Sequence, residues 1–279
     1  MTHLLLPTPQ PLPLISRTEV HLRTPWLICA GSIQGPVKPG KASPDLNDDV
    51  FRIGAAGDVT WLIVADGVGT AKRAAIGAHH AAYYLDRYLY AAGAERAQSP
   101  DTLREAYDNV RLQLASHAAE DRAALSDYAT TLLTVILTPD KLLIAKLGDG
   151  LIFTLQPHED QAATYLRRAE NPLQDHTPTI TSNAWLSDFT TEVIPIIEES
   201  ISAVVLCSDG AEHYFFNKSE PKLKILTQFT SIILNDPKGV RGANPILQAM
   251  LQRAIDSPSS NGEDDRTFII ATRNHSGRL

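Results

Sequence analysis

The sequence predicts an α+β fold, and three features carry that expectation. Two long helical patterns stand in the middle of the chain, and strand-like apolar runs precede and follow them. The connections between the later runs are too short for parallel crossovers, so the strands are expected to pair antiparallel, with the helices packed outside the sheets. At 279 residues and 43% hydrophobic content the chain can fill a complete core. It shows no internal repeat and no long flexible linker. Residues 1–25 therefore read as an extended Pro-rich arm, and residues 26–279 as one domain.

Pro7, Pro9, Pro11 and Pro13 exclude helix and central strand from the arm. Residues 26–30 form the first candidate strand, followed by a Gly/Pro/Lys loop over 31–44. Asn47-Asp48-Asp49 leads into a short strand at 50–53, and a turn at 54–58 returns the chain into the apolar run 60–65, which stops at Asp66-Gly67. Ala71, Ala75, Ala78, Ala82, Leu85 and Leu89 then recur at helical spacing, with a face small enough to lie close on a sheet. Ser99-Pro100-Asp101 opens a second helix as N-cap, first-turn Pro and first-turn acid. Strands are expected at 130–138, 142–147 and 151–155, the last two joined by a hairpin turn at Asp149-Gly150. A further strand at 163–168 and a polar surface flap at 170–188 precede a pair of strands, 189–197 and 201–208, joined across Glu198-Glu199-Ser200. Two helical patterns, 223–234 and 245–255, lead through a loop to a last strand at 267–272.

The composition narrows the function. A net charge of -7 and a pI near 5.7 leave no electrostatic footprint for nucleic acid. Cys29 and Cys207 each lie inside an apolar run and read as small buried hydrophobes, which favours a reducing, cytoplasmic compartment. Residues 1–15 hold no Lys or Arg and are broken by Pro, so no signal peptide is expected. No run is long enough to span a membrane.

The chemistry sits at strand ends. Asp49, Asp66, Asp149, Asp209 and Asp264 all fall at strand boundaries, far apart in sequence. Were those ends to converge, the carboxylates would repel and raise one another's pKa values unless cations stood between them. Oxygen-only donors suit hard cations such as Mg²⁺ and Mn²⁺, and neither a Cys pair nor a His-x-x-x-His spacing offers zinc a site. A pair of hard metals is suited to phosphate-ester hydrolysis.

Five motifs in order then carry a resemblance: Asn47-Asp48-Asp49, Val64-Ala65-Asp66-Gly67-Val68-Gly69, Leu147-Gly148-Asp149-Gly150, Leu206-Cys207-Ser208-Asp209-Gly210 and Asp264-Asp265-Arg266-Thr267. Together with Thr130-Thr131-Leu132-Leu133, they make the chain resemble the metal-dependent Ser/Thr protein phosphatases of type 2C, the PPM family, in its compact bacterial branch. The resemblance implies a four-layer αββα sandwich of two stacked antiparallel sheets, with Mn²⁺ or Mg²⁺ in a cleft at one edge. By that resemblance Asp66 bridges two metals, the Gly67 carbonyl binds one of them, and Asp209 and Asp264 hold the other. Asp49 acts through metal-bound water, and Asp149 joins Asp209 at a third, weak site. Catalysis would thus rest on Asp49, Asp66 and Asp209. The implied partner is a phosphorylated protein, a Ser/Thr kinase or its target, and a monomer is expected.

The chain departs from the family pattern twice. Pro44 stands where an Arg often grips the substrate phosphate, which leaves Lys38, Lys41 or Arg52 to supply the charge. Val68 stands where many eukaryotic members carry His, so protonation of the leaving group falls to water. A non-catalytic phosphoprotein-binding module on the same fold is the alternative reading.

Overall fold

The run Val59–Asp66 shows why the core has two sides. Trp61, Ile63 and Ala65 pack with helical residues, whereas Leu62 and Val64 pack with strands of a second sheet. Both faces of this strand are covered, so it reads as continuous apolar sequence rather than alternation.

The computed structural model describes residues 16–23, 25–35, 46–155, 162–165, 177–196, 201–217, 220–221 and 264–273. In chain order these form β1 (Ser16–Arg23), β2 (Trp26–Ile33), β3 (Asp49–Ala56), β4 (Val59–Asp66), α1 (Ala74–Ala97) and α2 (Pro100–Glu120). There follow β5 (Leu132–Leu137), β6 (Lys141–Leu147), β7 (Leu151–Leu155), β8 (Ala162–Tyr165), α3 (Trp185–Asp188), β9 (Thr190–Pro195), β10 (Ala203–Cys207) and α4 (Asp209–Phe215). The short β11 (Phe216–Asn217) and β12 (Glu220–Pro221) pair with each other, and β13 (Arg266–Arg273) comes last. One sheet runs β1-β2-β13-β10-β7-β8 and the other β3-β4-β5-β6-β9, all antiparallel.

Between the sheets lie Ile28, Phe51, Leu62, Val64, Val135, Ile144, Val204, Leu206 and Ile269. Outside the five-stranded sheet, α1 and α2 bury Tyr84, Leu85, Leu103, Tyr107 and Val110 against Trp61 and Ile136. Outside the six-stranded sheet, Ala211 and Phe215 of α4 cover Phe153 and Phe268. Each fully buried side chain of this size contributes about 1.5–3 kcal/mol. The fold is thus an α+β sandwich with helices on both outer faces. Both cysteines are free and buried, and burial pushes the Cys29 thiol up to about 12. Among the described residues, no helix is long and apolar enough to cross a membrane.

The two central helices follow the sequence reading closely. Ala74, Ala75, Ala78, Ala81 and Ala82 of α1 are buried, which lets the helix lie close on β3 and β4. Helix α2 starts at Pro100 as expected, although the Ser99 hydroxyl makes no capping bond.

Four expectations are corrected. Residues 16–23, assigned to the arm, form an edge strand paired along its whole length with β2, so residues 26–30 belong to the second strand. Strands β6 and β7 do not form a hairpin: β6 pairs with β5 and β9, β7 with β10 and β8, so Gly148-Asp149-Gly150 carries the chain from one sheet to the other. Strands β9 and β10 likewise lie in different sheets and do not pair. A short connection constrains the next strand to be near, and in a sandwich the near strand can belong to the facing sheet. The segment 177–188, expected as part of a surface flap, is anchored through buried Ile180 and Trp185. The helical patterns at 223–234 and 245–255 and residues 1–15 lie outside the described residues.

Where α1 meets α2, His80 packs with its ring centroid 4.4 Å from that of His117. The Tyr84 hydroxyl hydrogen-bonds His117 Nε2, Glu120 stands by His117 Nδ1, and His80 Nδ1 has no partner. Burial first, then His117 and His79, push His80 down to about 4 from 6.5, with Asp121 opposing. The unfolded chain therefore takes up this proton before the folded one does. Stability from this group is intact above about 6.5 and is lost as pH falls towards 4. His80→Leu is expected to flatten this part of the acid limb, which melting curves of variant and wild type between pH 7 and 4 will show.

Candidate active site

The strand ends expected to converge do so at one end of the sandwich. Asp49 opens β3 and Asp66 closes β4, and the two are directly paired across the ladder. From the facing sheet, Asp209 follows β10 after Ser208, and Asp264 precedes β13. Asp149 lies in the crossing between the sheets. Antiparallel neighbours bring one strand's beginning beside the next one's end, so residues far apart in sequence meet there.

Backbone bonds brace this end. Gly67 N–H donates to Asp48 O at 3.0 Å, Thr131 N–H to Asp66 O at 2.8 Å, and Val68 N–H to Ala129 O at 2.9 Å. The Thr131 hydroxyl accepts from Asp66 N–H at 3.2 Å, and the Thr130 hydroxyl donates to Asp66 O at 2.9 Å. At Gly67 an added Cβ would stand 2.6 Å from the Ala74 carbonyl, so a side chain there would push the start of α1 away from Asp66. Asp265, beside Asp264, accepts Gly35 N–H at 2.7 Å and Asp48 N–H at 2.6 Å, tying two loops to β13.

The carboxylates act on one another. Burial first, then Asp265, holds Asp49 well above the usual carboxylate range, while a Ser208 hydrogen bond pulls it back. Burial raises Asp66 likewise, followed by the charges of Asp49 and Asp209. Asp209 is raised by burial, then by Asp149 and Asp264. This is a donor set of hard oxygens whose strongest charged neighbours are further acids, and it fits a hard divalent cation and not a soft one. No three His, Cys, Asp or Glu side chains among the described residues form a ready-made metal cage.

Asp49, Asp66, Asp149 and Asp209 are thus brought together, with Asp264 exposed at the rim beside Asp209. Arg52 is not part of this group. It stacks over the Tyr83 ring, 5.1 Å from the centroid, and faces Asp86 at 3.9 Å, both on α1. Its position on β3 turns it to the helical face, because Asp49 lies three residues back and strand side chains alternate. Lys38 and Lys41 lie outside the described residues.

Sequence reasoning missed three residues. Ser208 donates to Asp49 Oδ2 at 2.6 Å, Asp265 holds the Asp48 backbone, and Thr177 donates to Asp149 Oδ2 at 2.6 Å. For the first two the signal was a polar residue adjoining a strand-end acid. Thr177 left no such signal, since its partner is 28 residues away.

The protein phosphatase 2C family model matches residues 42–252, and the chain belongs to this family. No curated protein matches it. Among solved structures it is similar to a bacterial serine phosphatase (16% identity, TM-score 0.63, covering 88% of this chain and 97% of that one). It is also similar to the catalytic domain of the Ser/Thr protein phosphatase PstP in complex with two manganese ions (17%, 0.56, 88% and 97%). A third neighbour is RsbX in complex with magnesium (11%, 0.55, 92% and 100%). At these identities the likeness establishes the fold.

Proposed function

We propose that the chain hydrolyses phosphoserine and phosphothreonine in protein substrates, with Mn²⁺ or Mg²⁺ as cofactor. The observation that carries this is the cross-strand pair Asp49 and Asp66, each raised by burial and by the charges of neighbouring acids, facing Asp209 in a type 2C fold. Asp66, the Gly67 carbonyl, Asp209 and Asp264 would hold two cations, and Asp149 with Asp209 a weaker third. When bound, the ions supply Lewis acidity towards the phosphoryl oxygens and acidify the attacking water. Asp49, fixed by Ser208 and by its own N–H bond to Asn47, orients that water. Val68 offers no proton, so the departing serine or threonine oxygen takes one from solvent. With Arg52 committed to α1, Lys38 and Lys41 are the proposed phosphate grips. A cytoplasmic monomer acting on a kinase or its target is the expected setting.

The test is a Mn²⁺-dependent assay with p-nitrophenyl phosphate and a phosphothreonine peptide. Turnover of both supports the proposal. Absence of turnover in folded, Mn²⁺-loaded protein would leave the non-catalytic phosphoprotein-binding reading, which the commitment of Arg52 to Asp86 favours.

Asp149→Asn separates charge from geometry at the sheet crossing. Asn retains an oxygen to accept from Thr177 but loses the negative charge that bears on Asp66 and Asp209. Phosphopeptide turnover at limiting Mn²⁺ is expected to fall roughly tenfold or more, with melting in chelator little changed. Turnover equal to wild type would reduce Asp149 to a connector.

A further inference from the structure

Asp49 is held in a closed circuit with four uncharged residues. Asp49 N–H donates to Asn47 Oδ1 at 2.8 Å, and Asn47 Nδ2 donates to Ser32 Oγ at 2.8 Å. Ser32 Oγ and Thr267 Oγ1 are hydrogen-bonded at 2.5 Å, with either hydroxyl able to donate. Thr267 N–H donates to Ser208 Oγ at 3.0 Å, and the Ser208 hydroxyl donates to Asp49 Oδ2 at 2.6 Å. The circuit thus leaves the Asp49 backbone and returns to its carboxylate. All five residues are buried, none more than 5% exposed. Ser32 and Thr267 belong to one sheet, Ser208 directly follows β10 of that sheet, and Asp49 belongs to the other, so the ring also latches the sheets together where the acids meet.

We infer that Ser208 is a positioning residue for Asp49, aimed by this ring and fixing the plane of its carboxylate. The terminal torsion of an aspartate is broad, so its backbone alone does not set where its oxygens point. The Thr267 N–H occupies one lone pair of Ser208 Oγ and so limits how the hydroxyl can turn. Of the acceptors in reach, Asp49 Oδ2 at 2.6 Å is far nearer than Thr267 O at 3.5 Å. With Oδ2 held, Oδ1 is the oxygen presented to the cleft. Removing the hydroxyl leaves Asp49 in place with only its side-chain contact to Asp66 to orient the carboxylate, and strands the Thr267 N–H in a buried site.

This inference rests on reading the cleft as a cation-dependent phosphatase centre, so its test has a readout that needs no turnover. Mn²⁺ binding is measured by calorimetry on the full chain for wild type, Ser208→Ala, Ser208→Thr and Thr267→Val, with p-nitrophenyl phosphate turnover and melting in chelator alongside. Ser208→Ala is expected to lose roughly tenfold in Mn²⁺ affinity, in kcat, or in both, with KM for the aryl phosphate little changed. Ser208→Thr, which keeps the hydroxyl, recovers most of the loss. Thr267→Val keeps the N–H to Ser208 but opens the ring at Ser32, and moves the same readouts by a smaller amount. Ser208→Ala with wild-type Mn²⁺ affinity and kcat overturns the inference, and so does a loss that a well-folded Ser208→Thr fails to recover. Should Ser208→Ala not fold, wild-type values in Thr267→Val overturn it instead. If wild type binds Mn²⁺ but hydrolyses nothing, the phosphatase reading fails and the ring is judged on Mn²⁺ affinity alone.

Discussion

Asp66→Asn is expected to abolish turnover and, in chelator, to raise the melting temperature above that of wild type. Burial and the charges of Asp49 and Asp209 hold the folded-state pKa of Asp66 well above its ordinary 3.8. The folded chain thus binds this proton more tightly than the unfolded chain. Raising the pH above 3.8 removes the proton at a cost borne by the folded state, and the cost grows until pH passes the raised pKa. Stability contributed here falls as pH rises, the reverse of the His80 effect. Asn has no charge to bury, so the gap between variant and wild type should widen from about pH 4 towards neutrality.

Adding Mn²⁺ should reverse the order. A cation at one hundred times its dissociation constant stabilises the wild type by about 2.7 kcal/mol, and a variant that has lost the shared ligand gains little. Turnover should fall by at least about a hundredfold, the scale of removing one preorganised charge-stabilising group. Melting curves with chelator and with Mn²⁺, at two pH values, check all of this. Equal Mn²⁺ stabilisation of both proteins would show that Asp66 is not a cation ligand. The same experiment separates Asp66 from Asp265, whose carboxylate is already engaged by the Gly35 and Asp48 N–H groups.

How much of this is legible in the sequence depends on the range of the interaction responsible. Helix α2 was readable because Pro100 and the spacing of Leu103, Tyr107, Val110 and Leu114 are local signals. Strand β4 was readable because a strand covered on both faces leaves an unbroken apolar run. The motif acids were readable as strand ends. Strand partners were not, since whether β7 follows β6 in the same sheet or leaves for the other depends on what covers each face. That is why Asp149-Gly150 read as a hairpin: the dipeptide is a good turn, and nothing local says which sheet the next strand joins. Arg52 was misplaced for a related reason. A strand residue near Asp49 looks close to the cleft, but alternation and the Asp86–Tyr83 pair on α1 take it to the far face. Ser208 adjoins one strand-end acid, but its partner is a different acid 159 residues away, which nothing local announces.

Gly148→Ala is expected to be among the most damaging single changes in the chain, and it connects the sheet crossing to the acids. Gly148 has φ +123, a conformation that L side chains rarely adopt. An added Cβ would also stand 2.4 Å from Thr131 Cβ and 2.6 Å from its Cγ2. Backbone strain of roughly 1–3 kcal/mol and overpacking of a similar size both apply, so a loss of about 2–6 kcal/mol follows. Relief by displacing Thr131 carries its own penalty. Thr131 N–H donates to Asp66 O at 2.8 Å and its hydroxyl accepts Asp66 N–H at 3.2 Å, so moving Thr131 moves the backbone that holds Asp66. A variant that stays folded at low temperature should therefore lose Mn²⁺-dependent turnover out of proportion to its lost stability. Urea unfolding gives the first quantity, and turnover measured well below the melting transition gives the second. The second substitution Thr131→Ser, which keeps the hydroxyl but removes the Cγ2 that the new methyl would meet at 2.6 Å, should recover part of both. Full stability and full turnover in Gly148→Ala would mean that the crossing has slack its contacts do not show, and that Thr131 does not transmit strain to Asp66.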